Sequence, residues 1–519
     1  MPSAGIRRGN RPFRSPGLSS ARLLTPRPPP CSLCPSAAME SNVSDQTQMP
    51  VNIVERRKEI LGLIQANKRG QAEAKARALL SDHADDAETM SMLAAVLIDR
   101  GAQGEAEPLL RRALELAPHS PVPWVNLGRL LQARQLWAEA EEHYSRAAAS
   151  FPRNPVFQLT LGQIAQRAGH FARAEECFRR ALEAEPNNPA TLTLLGMVVF
   201  RQDRLDEAAE IFRKSITVDP KFAAAYGNLG NVEQKRGDLA AAEAAYEKAS
   251  TLDPKDGLSY VSLGMVKLRR GDAREAAEIF DRALARFGPE RRAAAWFPFA
   301  RAQELGQMPA GSRAEMARMI TRVTLTPPEG YTSLAEFNKV LADALRADPT
   351  AIWEPVGKAT RKGGQTGLLL DNPREPFLAF ERMLRAAIDK HFDAIKREKY
   401  HPFFGMVPET YTLDMWGTLL SEGGHQHSHI HTGGWMSGAY YVALPPTMGT
   451  GEARDGWIEF GNPPPEFDAT FEPQTLIFEP REGDAFFFPS YLFHRTLPFS
   501  GEVQRISLAF DVKPTSWRK

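Results

Sequence analysis

Residues 155–188 read PVFQLTLGQIAQRAGHFARAEECFRRALEAEPNN, and this stretch decides the architecture of the first half of the chain. It holds a Leu161-Gly162 pair in a first helix, Ala174 and Phe178 in a second, and Pro186 near its end. The same columns recur every 34 residues in both directions. The Leu-Gly or Leu-Ala pair returns as Leu93-Ala94, Leu127-Gly128, Leu195-Gly196, Leu229-Gly230 and Leu263-Gly264. The small residue returns as Ala106, Ala140, Ala208, Ala242 and Ala276, and the bulky one as Leu110, Tyr144, Phe212, Tyr246 and Phe280. Pro118, Pro152, Pro220 and Pro254 repeat the closing proline. Gly and Ala let two helices approach closely, and the aromatic is expected to fill the gap to the next unit. Proline stops the second helix because it cannot continue the hydrogen-bond ladder.

Units begin near Ile53, Ala87, Pro121, Pro155, Pro189, Ala223 and Gly257, so residues 53–290 hold about seven. The first, Ile53–Asp86, matches poorly and reads as a cap or decayed repeat, as terminal repeats often do. A period of 34 with two helices per unit resembles the tetratricopeptide repeat (TPR). The resemblance implies an all-α superhelix whose concave groove takes a protein or peptide. A spacer or dimerisation arm without a peptide ligand is the alternative. No charge run names a ligand, and the oligomeric state is open.

Upstream, residues 1–38 carry six Arg, no Lys and no acid, with eight prolines. Without apolar periodicity this segment cannot bury enough surface to fold, so residues 1–50 are expected to be a disordered tail. An Arg- and Ser-rich start also fits an organellar transit peptide, but the prolines oppose the amphipathic helix such a peptide needs. A translation start upstream of Met39 explains the segment more simply. The lone Cys31/Cys34 pair lies there, without the partners a zinc site requires.

The totals set outer limits. A chain of 519 residues holds more than one domain. The 64 basic and 63 acidic residues leave a net charge of +1, which gives no nucleic-acid footprint. No apolar run approaches the roughly 18 residues a membrane-spanning helix needs. Three cysteines in so long a chain fit a reducing, cytoplasmic compartment.

Downstream, residues 291–324 are expected to be a helical cap and connector, with helical texture through 322. The stretch 363–370 reads as β-like and 375–400 as an amphipathic helix. A second domain is placed at about 325–519; from Tyr411 the chain turns to short apolar runs separated by Gly, Pro and Asp, which imply an all-β sandwich or barrel. Within it lies His425-Gln-His427-Ser-His429-Ile-His431. Alternate residues of a strand face the same way, so all four imidazoles are expected on one face, a poor design for a core and a good one for a metal. His494 follows the run AFFFP, and eleven residues later come Arg505 and Ser507, again on one face.

The segments GGHQHSHIHTGGWMSGAYYVALP, GWIEFGNPP, GDAFFFPSYLFHRTLPF and RISLAFDV resemble the iron(II)/2-oxoglutarate oxygenase domain fused to TPR repeats in bacterial proteins. The resemblance covers roughly residues 325–519. It implies a double-stranded β-helix (jelly-roll) domain with flanking helices, using Fe(II), 2-oxoglutarate, O₂ and an optional ascorbate reductant. It assigns the metal to His429, His431 and His494, and the far carboxylate of 2-oxoglutarate to Arg505 and Ser507. No catalytic side chain is implied beyond the metal ligands; His425, His427 and Tyr441 are expected around them. The superfamily's usual acidic ligand is missing, and His431 stands in its place. The implied activity is hydroxylation of a substrate recruited by the repeats. Two alternatives stand beside it: a non-catalytic adaptor with a degenerate β-domain, and a cupin-like metalloenzyme without 2-oxoglutarate. A cupin, however, would place a Glu shortly after His-x-His, and Thr432 to Ala439 contains none.

Overall fold

In the computed structural model, residues 51–518 are described, apart from 135, 289, 356–357, 400, 447, 449–453 and 502. The tail, the CxxC pair and the alternative start therefore lie outside the described residues. The chain divides into two compact units, one ending at Val232 and the other beginning at Glu233.

In the first unit, helices begin at Ala87, Pro121, Pro155 and Pro189, where the expected repeats begin. The prolines at 118, 152, 186 and 220 each follow a helix that has just ended, at Leu116, Ser150, Ala184 and Val218. The aromatic column packs differently from the expectation. A Cβ added to Gly162 would lie 2.5 Å from Phe178, and one on Gly196 2.6 Å from Phe212. Each ring is thus pressed first against the glycine of its own unit's first helix. Contact with the next unit is secondary, as between Tyr144 and Phe157, whose ring centroids are 6.4 Å apart. The weak first unit is still a helix pair, Val51–Gln65 and Arg69–Asp82. Its Ile60, Ala72 and Ala76 are fully buried, a small-residue packing that needs no aromatic and so escapes the pattern.

In the second unit, the helix pattern continues through Leu239–Leu252, Gly257–Arg270, Ala273–Phe287 and Arg291–Leu305. The strands that follow are β1 (Thr321–Thr324), β2 (Ile352–Trp353), β3 (Thr360–Gln365), β4 (Pro408–His429), β5 (Met436–Ala443), β6 (Ile458–Phe460), β7 (Leu476–Phe478), β8 (Asp484–Pro489), β9 (His494–Thr496) and β10 (Arg505–Trp517). Their order is β1-β8-β5-β10-β4-β9-β6-β7, with β3 and then β2 joining at β4, and every pairing is antiparallel. β4 pairs β10 along its first half and β9 at its end, so the sheet curls into the half-barrel of a double-stranded β-helix domain.

Helices Leu334–Arg346 and Phe377–Ala394 cover one face through Phe337, Leu341, Phe380 and Leu384, packed with Tyr440, Phe487 and Phe510. The first of these begins with a capping interaction, in which Glu336 N donates to Ser333 Oγ at 3.1 Å. The helix Arg291–Leu305 lies against the same unit: Trp296 meets Phe493 edge-on at 5.0 Å, and Arg291 Nε donates to Gly434 O at 2.6 Å.

Three local expectations need correction. Residues 321–324 are a strand rather than a helix end, because pairing with β8 satisfies their backbone. The β-like run 363–370 is strand only to Gln365, and the helix expected over 375–400 stops at Ala394. No helix among the described residues is long and apolar enough to cross a membrane.

Candidate metal centre and co-substrate pocket

β4 and β9 place His429 directly opposite His494, with ring centroids 4.3 Å apart. β4 ends at His429, and His431 follows two residues later. Its backbone N donates to Ser490 O at 2.8 Å, which folds the chain so that its ring lies 5.2 Å from His429 and 5.0 Å from His494. One nitrogen from each of the three rings lies within 4.8 Å of the other two.

The hydrogen bonds decide which nitrogen is available. Nδ1 of His429 meets His427 O at 2.7 Å, Nδ1 of His494 meets Leu492 O at 3.0 Å, and Nδ1 of His431 meets Asp511 Oδ1 at 2.5 Å. Carbonyl and carboxylate oxygens only accept, so each Nδ1 carries a hydrogen, and the neutral form of each ring has its lone pair on Nε2. The Nε2 atoms of His429 and His431 stand 3.3 Å apart. Burial, reinforced by His431, pulls His429 down to about 3; burial, with His429 and His431, holds His494 well below the ordinary imidazole range. Both are neutral at pH 7, and their lone pairs converge with that of His431. Three imidazole donors on one side of a cation suit a transition metal such as iron and leave other positions free.

The residues expected to hold a carboxylate lie in the same pocket. Arg505, Ser507 and Tyr441 line one pocket with His429, His431 and His494. Arg505 is 1% exposed, donates to Gly456 O and Ser507 Oγ at 3.3 Å each, and lies 5.0 Å over the Tyr441 ring. Among the described residues no carboxylate pairs with it, and burial pulls its pKa down. Tyr441 Oη and Thr418 Oγ1 are buried without a hydrogen-bond partner. Both flank Ser507 in register, Thr418 from β4 and Tyr441 from β5.

The four histidines do not share one face as expected. Gln426 lines the pocket with His429 and His431, and the pairing of β4 with β9 is irregular between Gln426 and His429. A bulge of this kind breaks the alternation. His425 and His427 stand apart from the three converging rings; His427 serves the site through its carbonyl, which orients His429.

Sequence reasoning missed Asp511. It is 8% exposed and accepts from His431 Nδ1 and, at 2.6 Å, from Ser437 Oγ. Its signal was visible: on β10, residues 505, 507, 509 and 511 alternate onto one face.

Residues 414–511 match the family described as "Putative 2OG-Fe(II) oxygenase". Residues 58–121, 159–218, 221–288 and 261–321 match tetratricopeptide repeat families. The chain thus carries TPR repeats followed by a domain of that oxygenase family. Among solved structures, it is similar to the APC/C hetero-tetramer Cut9-Hcn1 at 19% identity, covering 47% of this chain and 48% of that one, with a TM-score of 0.39. It is also similar to YrrB, described as a TPR protein with an unusual peptide-binding site, at 21% identity over 36% of this chain and 95% of that one, TM-score 0.31. A tetratricopeptide repeat protein from Parabacteroides merdae matches at 19% identity over 45% and 92%, TM-score 0.37. The chain spans about half the length of the first of these. No curated protein matches it.

Proposed function

We propose that this protein is an Fe(II)- and 2-oxoglutarate-dependent dioxygenase that hydroxylates a protein or peptide brought to it by the helical repeats. The observation that carries the reading is Arg505. A guanidinium taken out of water costs several kcal/mol unless an anion meets it, and this one has only neutral partners among the described residues. Tyr441 lines the same pocket, and its Oη, buried without a hydrogen-bond partner, offers one more donor. The pocket therefore fits one end of a dicarboxylate, with three Nε2 lone pairs in the same cavity to hold the iron.

In this mechanism His429, His431 and His494 would hold Fe(II), with Nδ1–H bonds fixing each ring. Arg505 and Ser507 grip the far carboxylate of 2-oxoglutarate, the guanidinium in a two-bond fork and the hydroxyl as a further donor. Burial keeps the Tyr441 phenol protonated, so it donates rather than repels. Trp416, Ile458 and Phe488 wall the same cavity and limit water. The metal, when bound, supplies the O₂ chemistry: 2-oxoglutarate and O₂ give succinate and CO₂, and the second oxygen atom enters a substrate C–H bond as hydroxyl.

Succinate release with Fe(II), ascorbate and 2-oxoglutarate tests this. The wild-type protein is expected to release succinate in an iron-dependent way and His494→Ala to release none. Equal release by both would remove His494 from the ligand set and overturn the reading.

A further inference from the structure

The superfamily pattern puts a carboxylate on the metal; here His431 occupies that place, and three neutral imidazoles would face a dication. We infer that Asp511 supplies the missing negative charge from one bond further out, acting through His431 as a positioning residue for the metal. The inference rests on the metal-site reading above and goes beyond it.

The geometry is specific. Asp511 Oδ1 accepts from His431 Nδ1 at 2.5 Å, and a hydrogen bond to an ionised carboxylate is stronger than one to a neutral acceptor. Because the carboxylate takes the Nδ1 hydrogen, Nε2 of His431 is turned toward His429 and His494, with His429 Nε2 3.3 Å away. Of the three converging rings, only His431 leans on a charged group; His429 and His494 lean on backbone carbonyls. A carboxylate polarises the imidazole more than a carbonyl does and raises its strength as a ligand.

The carboxylate is itself held from the other side. Ser437 Oγ donates to Asp511 Oδ1 at 2.6 Å, and Ser437 and Ser490 hydroxyls lie 2.9 Å apart. Since Ser437 spends its single hydrogen on Asp511, Ser490 must donate to Ser437. Ser437 and Ser490 are fully buried, and Ser490 O also accepts the His431 backbone N–H. Ser437 on β5, Asp511 on β10 and Ser490, the residue just past β8, therefore converge on His431. A Cβ on Gly434 would lie 2.6 Å from Ser490 Oγ and 3.2 Å from Asp511 Cβ, so the glycine keeps the space this network occupies.

The test is Co(II) binding to the full chain, measured by chelator competition and by the visible spectrum of the bound ion, with the melting temperature of the metal-free protein recorded alongside. Asp511→Asn keeps the shape and an accepting oxygen but removes the charge. It is expected to weaken Co(II) binding about 10- to 100-fold, to alter the spectrum, and to leave metal-free melting near that of wild type. Ser437→Ala keeps the charge and loosens its hold, and is expected to weaken binding less. If wild type binds Co(II) and Asp511→Asn binds it equally well, this inference is overturned while the metal site stands. If wild type binds none, the metal-site reading itself fails. Should the Asn variant not fold, Ser437→Ala decides: a few-fold loss supports the role, and unchanged affinity overturns it.

Discussion

Replacing Arg505 by Met is expected to move binding and stability in opposite directions. The guanidinium is 1% exposed, with Gly456 O and Ser507 Oγ its hydrogen-bond partners. In the ligand-free protein it is a buried cation without an anion, a desolvation cost of several kcal/mol. Removing it orphans two weak acceptors at about 1 kcal/mol each. Arg505→Met should therefore raise the stability of the ligand-free protein by about 1–3 kcal/mol. With 2-oxoglutarate the sign reverses. Losing one member of a buried, hydrogen-bonded charge pair costs about 2–5 kcal/mol, roughly a 30- to 5,000-fold rise in Kd. A ligand at about 100 times the wild-type Kd stabilises wild type by about 2.7 kcal/mol, but a variant 30-fold weaker by only about 0.9 kcal/mol. Calorimetric titration with 2-oxoglutarate, and denaturant unfolding with and without it, measure both halves. A variant that binds 2-oxoglutarate within threefold of wild type would refute the carboxylate anchor. One that is clearly destabilised without ligand would refute the claim that Arg505 is held at a cost for function.

Two further predictions concern the scaffold. Gly162→Ala drives a methyl to within 2.5 Å of Phe178 and should cost about 1–3 kcal/mol, whereas Gly104→Ala, also helical but with nothing near its Cβ, should be neutral or stabilising by up to about 1 kcal/mol; urea unfolding of the full chain compares them. His391, whose Nε2 is buried without a partner, is pulled by burial to about 4. The unfolded chain takes up a proton near pH 6.5 that the folded one refuses until about 4, so this residue's contribution is intact above 6.5 and declines as pH falls through that window. The loss reaches on the order of 1–3 kcal/mol; His391→Leu should lessen the fall in unfolding stability between pH 6.5 and 4, to which His429 and His494 also contribute, and an unchanged slope would clear His391 of the effect.

The helical half was legible because its constraint is steric and local. A ring that needs a glycine 16 residues earlier leaves the same mark in unit after unit, as Gly128 with Tyr144, Gly162 with Phe178, Gly196 with Phe212 and Gly264 with Phe280 do. The first unit hid because alanine stands at 76, where later units carry a bulky residue, and a buried alanine leaves no mark. The β-domain was legible in its strands but not in their ends. Strand β1 reads as the tail of a helix because only its partner β8, far along the chain, makes it a strand.

The site divides along the same line. His429, His431, His494, Arg505 and Ser507 could be named because each sits in a motif with fixed spacing. Alternation alone, however, put His425 and His427 with the ligands and passed over Gln426, and one irregularity between Gln426 and His429 undid it. On β10 the alternation holds without a break from Arg505 through Ser507 and Ala509, so it also reaches Asp511. That residue was overlooked because the missing acid was sought beside the metal-binding histidine in sequence. A carboxylate need not touch a cation to balance it. At 2.5 Å from His431 Nδ1 it acts through the conjugated ring, so its strand can lie 80 residues away. A His-x-His motif is therefore weak evidence for a degenerate site until the face opposite its Nδ1 atoms has been searched for an acid.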